Sequence, residues 1–259
     1  MPFTASPRPA PPFASTPASY EKVQFGCFKS MFKGDPPWLN TDILPMEEFA
    51  KAGGYHFARV DVRKPLRAWP DGSVRLIYHS HLIEHLSFYQ GVEFLAECRR
   101  ILKPGGVMRV CTPDLRVLLL AWMRDYEFPE GTGPVPGMET FNDAQPELYR
   151  KVKSPDLKLA FILWGNLDPR LTQQNYGGHW LVYSFESLSE VLTIAGWKEK
   201  KVERRVWTEQ ERNVARDSKD SVVVTGPESF LISSVPEFML ETHDQWPDHS
   251  FVLEVQKEA

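Results

Sequence analysis

Apolar positions in the middle of the chain change their spacing, and each change predicts a new element. Residues 74–78 form a short, mostly apolar run, which is typical of a strand covered on both faces. Over residues 88–102, apolar side chains recur at helical spacing. Pro104 cannot continue that helix, and Gly105–Gly106 allow the chain to reverse into a second apolar run at 107–111. This order of strand, helix and strand predicts a βαβ unit and hence an α/β fold.

Further segments along the chain are predicted strands, and we expect a mostly parallel seven-stranded sheet with helices on both faces. The predicted strands are 23–27, 38–43, 56–61, 74–79, 107–112, 200–206 and 251–255. The last two strands are expected to form an antiparallel pair that closes the sheet. Residues 184–196 predict a helix, because Ser184 can cap its start and Gly196 can end it.

Two stretches do not fit this pattern of strands and helices. Residues 1–19 are rich in proline and contain no acidic residue, which predicts a disordered extension. Residues 115–183 are rich in aromatic side chains, interrupted by glycines and prolines, and predict a lid that covers an organic substrate. The alternative is that these aromatic side chains only pack the insertion against the body. Residues 20–259 are then expected to form a single domain that includes the lid.

Composition and charge narrow the classes of partner. A formal charge of −4 and a pI near 6.0 give no electrostatic reason to expect nucleic acid. No stretch approaches the roughly 20 apolar residues of a membrane-spanning helix, so no membrane partner is expected. The three cysteines show no paired spacing, which argues against a zinc site or a disulfide framework and predicts a cytoplasmic location. The oligomeric state stays open.

Polar residues follow the strand at 74–79. Ser80, His81, Glu84 and His85 come where that strand ends, and ligands of open parallel sheets bind at the carboxyl ends of the strands. His81 and His85 share a face if residues 81–86 are helical, which would suit a metal ion. The sequence assigns no third ligand, so no metal is predicted.

Three short motifs carry a resemblance to a known family. They are Ile83-Glu84-His85-Leu86, Leu102-Lys103-Pro104-Gly105-Gly106 and Trp38-Leu39-Asn40-Thr41-Asp42. In this order and spacing they resemble a class I S-adenosylmethionine-dependent methyltransferase, most nearly the type 11-like branch that acts on small molecules. The resemblance implies a Rossmann-like fold, S-adenosylmethionine as cofactor, and methyl transfer to oxygen or nitrogen of a small organic molecule.

The resemblance also implies which residues bind the cofactor. The turn after the first strand would hold the methionine part, Asp42 the ribose hydroxyls and Asp61 the adenine amino group. Phe28 stands where a second glycine of that turn is usual, and Gly26 matches the first. The complete predicted set is Gly26, Cys27, Phe28, Asp42, Ile43, Asp61, Val62, His79 and Ser80.

A histidine is the expected general base, since its ordinary pKa lies near neutrality. We rank His81 first because it directly follows Ser80. His179 is second, because Gly177-Gly178-His179-Trp180 resembles a segment before the family's last large helix. His85 is third, and its alternative is a structural role in the turn.

A second hypothesis comes from another functional class. The chain can have a methyltransferase fold without methyl transfer, and then bind a ligand or partner or catalyse a different reaction. Phe28 in the glycine turn favours this alternative. A nicotinamide-dependent oxidoreductase is disfavoured, since the first strand is not followed by Gly-x-Gly-x-x-Gly.

Overall fold

The structure, a computed structural model, describes residues 16–127, 154–163, 178–198, 204–205, 229–230, 235, 238 and 250–258. These residues form one sheet in the strand order β3-β2-β1-β4-β5-β8-β7-β6. The strands are β1 (Lys22–Phe25), β2 (Trp38–Asp42), β3 (His56–Arg59), β4 (Val74–Ser80), β5 (Leu102–Pro113), β6 (Arg204–Arg205), β7 (Ser229–Phe230) and β8 (Ser250–Gln256).

Five α-helices lie within the described residues. They are α1 (Glu47–Gly53), α2 (Phe88–Ile101), α3 (Leu115–Glu127), α4 (Pro155–Leu163) and α5 (Phe185–Ile194). Ser87 and Ser184 begin α2 and α5 with capping boxes, in which each serine side chain accepts from the main chain of the third helical residue. A short 3-10 helix, Ile83–His85, follows β4.

The predicted α/β architecture is confirmed, but the predicted count of seven strands is not. Within the described ranges, six strands are four residues or longer, and five of them, β1 to β5, are parallel to one another. β8 is antiparallel to β5. The expected direct pairing of the last two predicted strands is wrong. β7 lies between them, antiparallel to β6 and parallel to β8, and its two residues carry too short a pattern to be predicted.

The chain changes direction across the sheet at β1. From β1 it runs outward to β2 and β3, and it then returns to β4 on the other side of β1. In open parallel sheets the crevice at such a switch point is where ligands bind. The carboxyl ends of β1, β2 and β4 therefore delimit the candidate site.

Buried strands and aromatic packing support this edge of the sheet. All residues of β1 and β2 are buried, as expected for strands covered on both faces. Phe25 packs edge-on against Trp69 and Phe94, with ring centroids 5.6 and 5.5 Å away, and thereby joins β1 to α2.

Much of the predicted lid lies outside the described residues. Within 115–183, the structure describes α3, α4 and residues 178–183. The indole Nε1 of Trp122 donates to Asp156 Oδ1 at 2.9 Å and links α3 to α4. Of the predicted proline-rich extension, only residues 16–19 are described, and they include a 3-10 turn, Pro17–Ser19. No helix in the described part of the chain has the length and apolar character needed to span a membrane.

Candidate functional site

The turn after β1 keeps the backbone shape of a glycine turn. Gly26 has φ +67° and Phe28 has φ +40°, both in the left-handed region that favours glycine. A Cβ added at Gly26 would lie 3.0 Å from Leu82 Cδ1, so a larger residue there would also crowd the Leu82 side chain. The Phe28 side chain is 51% exposed. The bulky Phe28 is therefore accommodated in a backbone conformation that glycine adopts more easily.

Asp42 holds that turn from the end of β2. Its Oδ2 accepts from the main-chain N–H of Phe28 at 2.7 Å, and its Oδ1 accepts from that of Leu44 at 2.9 Å. The N–H of Cys27 donates to the main-chain oxygen of Thr41 at 3.0 Å. The buried carboxylate thus fixes the unusual conformation of Phe28, and each carboxylate oxygen keeps further lone-pair capacity.

Cys27 and Ile43 flank this contact. Burial, and then the nearby charge of Asp42, raises the pKa of the Cys27 thiol well above its usual range. The thiol is therefore neutral and a poor nucleophile. The main-chain oxygen of Ile43 accepts from Arg59 Nε at 2.7 Å, which ties the end of β2 to β3.

Asp61 lies beyond the end of β3 and is held by Arg63. The guanidinium donates to both carboxylate oxygens, Nε to Oδ1 at 2.8 Å and Nη2 to Oδ2 at 3.0 Å. These bonds lower the pKa of Asp61, and an additional bond comes from the Arg63 main-chain N–H. The adjacent Val62 packs against the main core. A contact of Asp61 with adenine would use oxygens already bound to this bidentate partner.

His79 and Ser80 end β4, and their side chains are buried. The His79 ring is fully buried and packs edge-on against Phe94, with centroids 5.3 Å apart. Among the described residues, neither ring nitrogen of His79 nor the Ser80 hydroxyl has a hydrogen-bond partner. In this conformation His79 contributes to the core between β4 and α2 rather than to an open surface.

Burial of His79 predicts a pH dependence of stability. Burial lowers its pKa from 6.5 to about 4, so the unfolded chain binds this proton first as the pH falls. Stability from neutral His79 is complete above pH 6.5 and is lost towards pH 4, by about 3 kcal/mol. His79→Phe keeps the aromatic contact and should remove this component from urea unfolding curves measured across that range. An unchanged pH slope in the variant, with His56→Gln as the control, would contradict the assignment.

Glu84 is the centre of a polar cluster in the turn after β4. Its fully buried carboxylate contacts His81 Nδ1 through Oε1 at 3.0 Å and accepts from Thr112 Oγ1 through Oε2 at 3.1 Å. Burial acts to raise the pKa of Glu84. The close contact and charge of His81, together with the charges of His85 and His179, outweigh burial and lower the pKa to about 2. Glu84 is therefore an anion surrounded by imidazoles.

His81 is bound on both sides within this cluster. Its Nδ1 faces Glu84, and its Nε2 lies 3.1 Å from the Ser250 hydroxyl, at the start of β8. With the proton on Nδ1, the ring turns an N–H towards Glu84 in a contact without hydrogen-bond geometry, and its Nε2 accepts from the Ser250 hydroxyl. The backbone at His81 has φ +50°, and its N–H donates to the main-chain oxygen of Cys111. Both nitrogens of our first-ranked base thus contact protein groups, and its catalytic role stays a prediction.

The structure brings His85 and His179 together, although they are 94 residues apart in the sequence. Their ring centroids lie 4.8 Å apart, at an interplanar angle of 73°. His85 Nδ1 is 3.0 Å from the main-chain oxygen of Gly178, so the turn after β4 is tied to the segment before α5. Trp180 N–H also donates to the main-chain oxygen of Glu84 at 2.8 Å. His85 and His179 are both half-buried and accessible enough to meet a ligand.

Sequence reasoning missed two residues of the polar cluster around Glu84, namely Ser250 and Thr112. Ser250 is 169 residues from His81, and Thr112 is 28 residues from Glu84. No local motif signals either contact, since both depend on β5 lying between β4 and β8.

Comparison with known proteins agrees with the motifs noted above. Residues 44–110 match the sequence model of a family described as a methyltransferase domain. The resemblance to the methyltransferases is confirmed. This methyltransferase segment, residues 44–110, contains Asp61 and the turn after β4, while Gly26, Asp42 and His179 lie outside it.

A curated relative of the methyltransferase class matches part of the chain. It is named a probable S-adenosylmethionine-dependent methyltransferase, from Mycolicibacterium smegmatis, and is 41% identical over 61 residues. Those residues are 22% of this chain and 23% of that protein, so the chain spans about a quarter of the length of this relative. The activity of the whole chain does not follow from a match of that extent.

Two solved methyltransferase structures have a distant likeness to the chain. A SAM-dependent methyltransferase from Archaeoglobus fulgidus is 14% identical, with coverage of 93% of this chain and 87% of that chain and a TM-score of 0.45. One from Mesorhizobium loti is 13% identical, with coverage of 92% and 90% and a TM-score of 0.45. These values are too low to carry an argument about fold or function.

Proposed function

We propose that the chain is a methyltransferase that uses S-adenosylmethionine and methylates oxygen or nitrogen of a small organic molecule. The matched methyltransferase segment and the named relative support the reaction class. We further propose a single domain over residues 20–259, with 115–183 as the substrate lid, and a cytoplasmic location. The three cysteines, all buried as free thiols, support a reducing compartment.

One observation carries the proposal: a left-handed turn at Gly26–Phe28 is bound to a buried acid, Asp42, beside the switch point of the sheet. A tight turn lets main-chain groups approach the methionine part of the cofactor. A carboxylate at the next strand end can accept from two ribose hydroxyls in short, charge-assisted hydrogen bonds. Asp42 already accepts one N–H on each oxygen, which orients both oxygens before any ligand arrives.

For methyl transfer, the protein mainly has to align the nucleophile with the methyl group, because the cofactor itself activates that group. S-adenosylmethionine supplies a methyl group on a sulfonium, and the protein has to hold the nucleophile in line with it. A hydroxyl nucleophile also needs a base that takes its proton. His179 and His85 are half-buried and adjacent, whereas His81 contacts Glu84 and Ser250. We therefore place proton removal at the His85–His179 pair.

Calorimetric titration with S-adenosylmethionine and with S-adenosylhomocysteine tests this function directly. We expect one site per chain for each compound and a rise in the unfolding temperature, because a ligand that binds only the folded chain stabilises it. NAD⁺ is the matched control and should give no heat. Absence of both heat and thermal shift at millimolar S-adenosylmethionine would contradict the proposal.

The second candidate is a methyltransferase fold that does not transfer methyl groups. It is favoured by one observation, the aromatic side chain at Phe28 in a turn where the resembling family has glycine. Cofactor binding without release of S-adenosylhomocysteine, across a panel of phenols, amines and carboxylic acids, would favour this candidate.

A further inference from the structure

Glu84, His85 and His179 form a cluster that suits a metal ion. One ligand atom from each side chain, a carboxylate oxygen or an imidazole nitrogen, lies within 4.8 Å of the other two. Ligand atoms around a tetrahedral Zn²⁺ lie about 3.4 Å apart, given metal–ligand distances near 2.1 Å. A small change of side-chain torsion angles therefore brings the three atoms to coordination distance.

Neighbouring protein groups orient the Glu84 and His85 side chains, as the outer partners of a metal site orient its ligands. With the proton on His85 Nδ1, that nitrogen donates to the main-chain oxygen of Gly178, and Nε2 keeps its lone pair for a ligand. Glu84 is held by His81 on one oxygen and by Thr112 on the other. His81 is in turn held by Ser250. These contacts fix the tautomer of one ligand and the carboxylate plane of the other.

The burial of Glu84 is the second reason to expect a cation. A carboxylate with no exposed surface is costly unless it is paired or coordinates a metal. Glu84 Oε1 lies 3.0 Å from His81 Nδ1 but accepts no hydrogen bond within the described residues. His85 and His179 lie on the side where the cluster meets less buried residues, next to the exposed Trp180. That side is where an ion and a further ligand can enter.

We propose that Glu84, His85 and His179 bind a divalent transition metal ion of the Zn²⁺, Co²⁺ or Mn²⁺ type. Two imidazoles and one carboxylate suit such ions, whereas Mg²⁺ and Ca²⁺ prefer sites made of oxygen ligands. Three protein ligands leave at least one coordination position for water or substrate. The sequence pairs His81 with His85 and assigns no third ligand. In the structure His85 is joined instead by Glu84 and by His179, which is 94 residues downstream of His85.

The proposed role of the ion rests on the proposed methyl transfer. The cluster directly follows β4, whose carboxyl end borders the switch point. An ion there would hold an oxygen or nitrogen of the substrate beside the cofactor site. With the ion bound, His85 and His179 are its ligands, and the charge of the ion, in place of these two imidazoles, promotes loss of the proton from the substrate. The ion binds whether or not the chain transfers methyl groups, so its presence can be measured separately.

The test is a titration of the full chain with Co²⁺ after treatment with a chelator, followed by visible absorption, with Zn²⁺ in competition. We expect one Co²⁺ per chain, displaced by Zn²⁺. His179→Ala should weaken Co²⁺ binding by about a hundredfold or more, since loss of an outer partner alone costs 10- to 100-fold. His56→Gln is the matched control and should bind like the wild type, because His56 begins β3 and contacts Tyr20 at the opposite side of the sheet.

Two results would overturn the metal site. One is no Co²⁺ or Zn²⁺ binding by the folded wild type, which would leave the cluster as a buried anion balanced by histidines. The other is unchanged Co²⁺ affinity in His179→Ala, or in His179→Gln where the alanine variant does not fold by circular dichroism. Both titrations are made without S-adenosylmethionine. Metal binding without cofactor binding contradicts only the proposed function, and the reverse result contradicts only the metal site.

Discussion

Asp42→Ala is expected to weaken S-adenosylmethionine binding by about a hundredfold, since two hydrogen bonds to ribose would be lost at about 1.4 kcal/mol each. The same change should lower the free energy of unfolding by about 3 kcal/mol. It leaves the main-chain N–H groups of Phe28 and Leu44 without their carboxylate acceptor. The Phe28 turn then loses the bond that holds it at positive φ. Calorimetry gives the first quantity and urea unfolding the second.

Glu48→Ala is the matched control for Asp42→Ala, because it removes an exposed acid from the neighbouring α1. It should leave cofactor affinity unchanged and alter stability by no more than about 0.5 kcal/mol. Asp42→Asn should lie between the two, because its amide oxygen retains one of the two acceptor positions. Loss of stability in Asp42→Ala with unchanged cofactor affinity would reduce Asp42 to a structural residue. Unchanged stability would contradict the hydrogen bonds described here.

Glu84→Gln is expected to destabilise the metal-free protein by about 3 kcal/mol, the usual cost of breaking a buried ion pair from one side. The variant keeps the size of the side chain but removes the charge that His81, His85 and His179 surround. The amide can no longer contact both His81 and Thr112 through carboxylate oxygens. Urea unfolding of wild type and variant, both treated with chelator, measures the difference.

Glu186→Gln is the control for that change, because Glu186 also pairs with a basic side chain, Arg116 at 3.2 Å, but its side chain is 64% exposed. Exposed pairs contribute at most about 1 kcal/mol, so this variant should remain near the wild type. Equal losses of unfolding free energy in Glu84→Gln and Glu186→Gln would show that the buried contacts of Glu84 stabilise the protein no more than an exposed ion pair does.

The fold was largely predictable because the pattern of strands is local. The apolar runs at β4 and β5 identify strands buried on both faces, and the observed bounds of the predicted strands differ from the predicted ones mainly at the ends. The helix at α5 was predicted from its serine cap, which the structure shows as a capping box. α1 and β7 were not predicted. α1 is seven residues long and β7 is two, so neither shows enough periods to be recognised.

The candidate site was predictable only in part. Gly26 and Asp42 were identified through the resemblance to the methyltransferases, and the His81–His85 turn because it follows a predicted strand, where parallel sheets bind ligands. The ranking of His81, His179 and His85 as candidate bases could not be derived from the sequence in this way. His81 turns out to contact Ser250, and His85 turns out to contact the segment of His179. Those partners arrive from β8 and from the segment before α5, at sequence distances that no local pattern reports.

The sequence by itself determined the α/β class and the resemblance to methyltransferases, because hydrophobic periodicity and short motifs are encoded within a few neighbouring residues. Only the tertiary structure decided how the polar residues are used. It showed that Asp42 stabilises the positive φ of Phe28, that His79 is buried in the core, and that Glu84 lies among three histidines. The physical reason is that burial and hydrogen bonding depend on which distant segments pack together, and the order of strands in the sheet decides that packing.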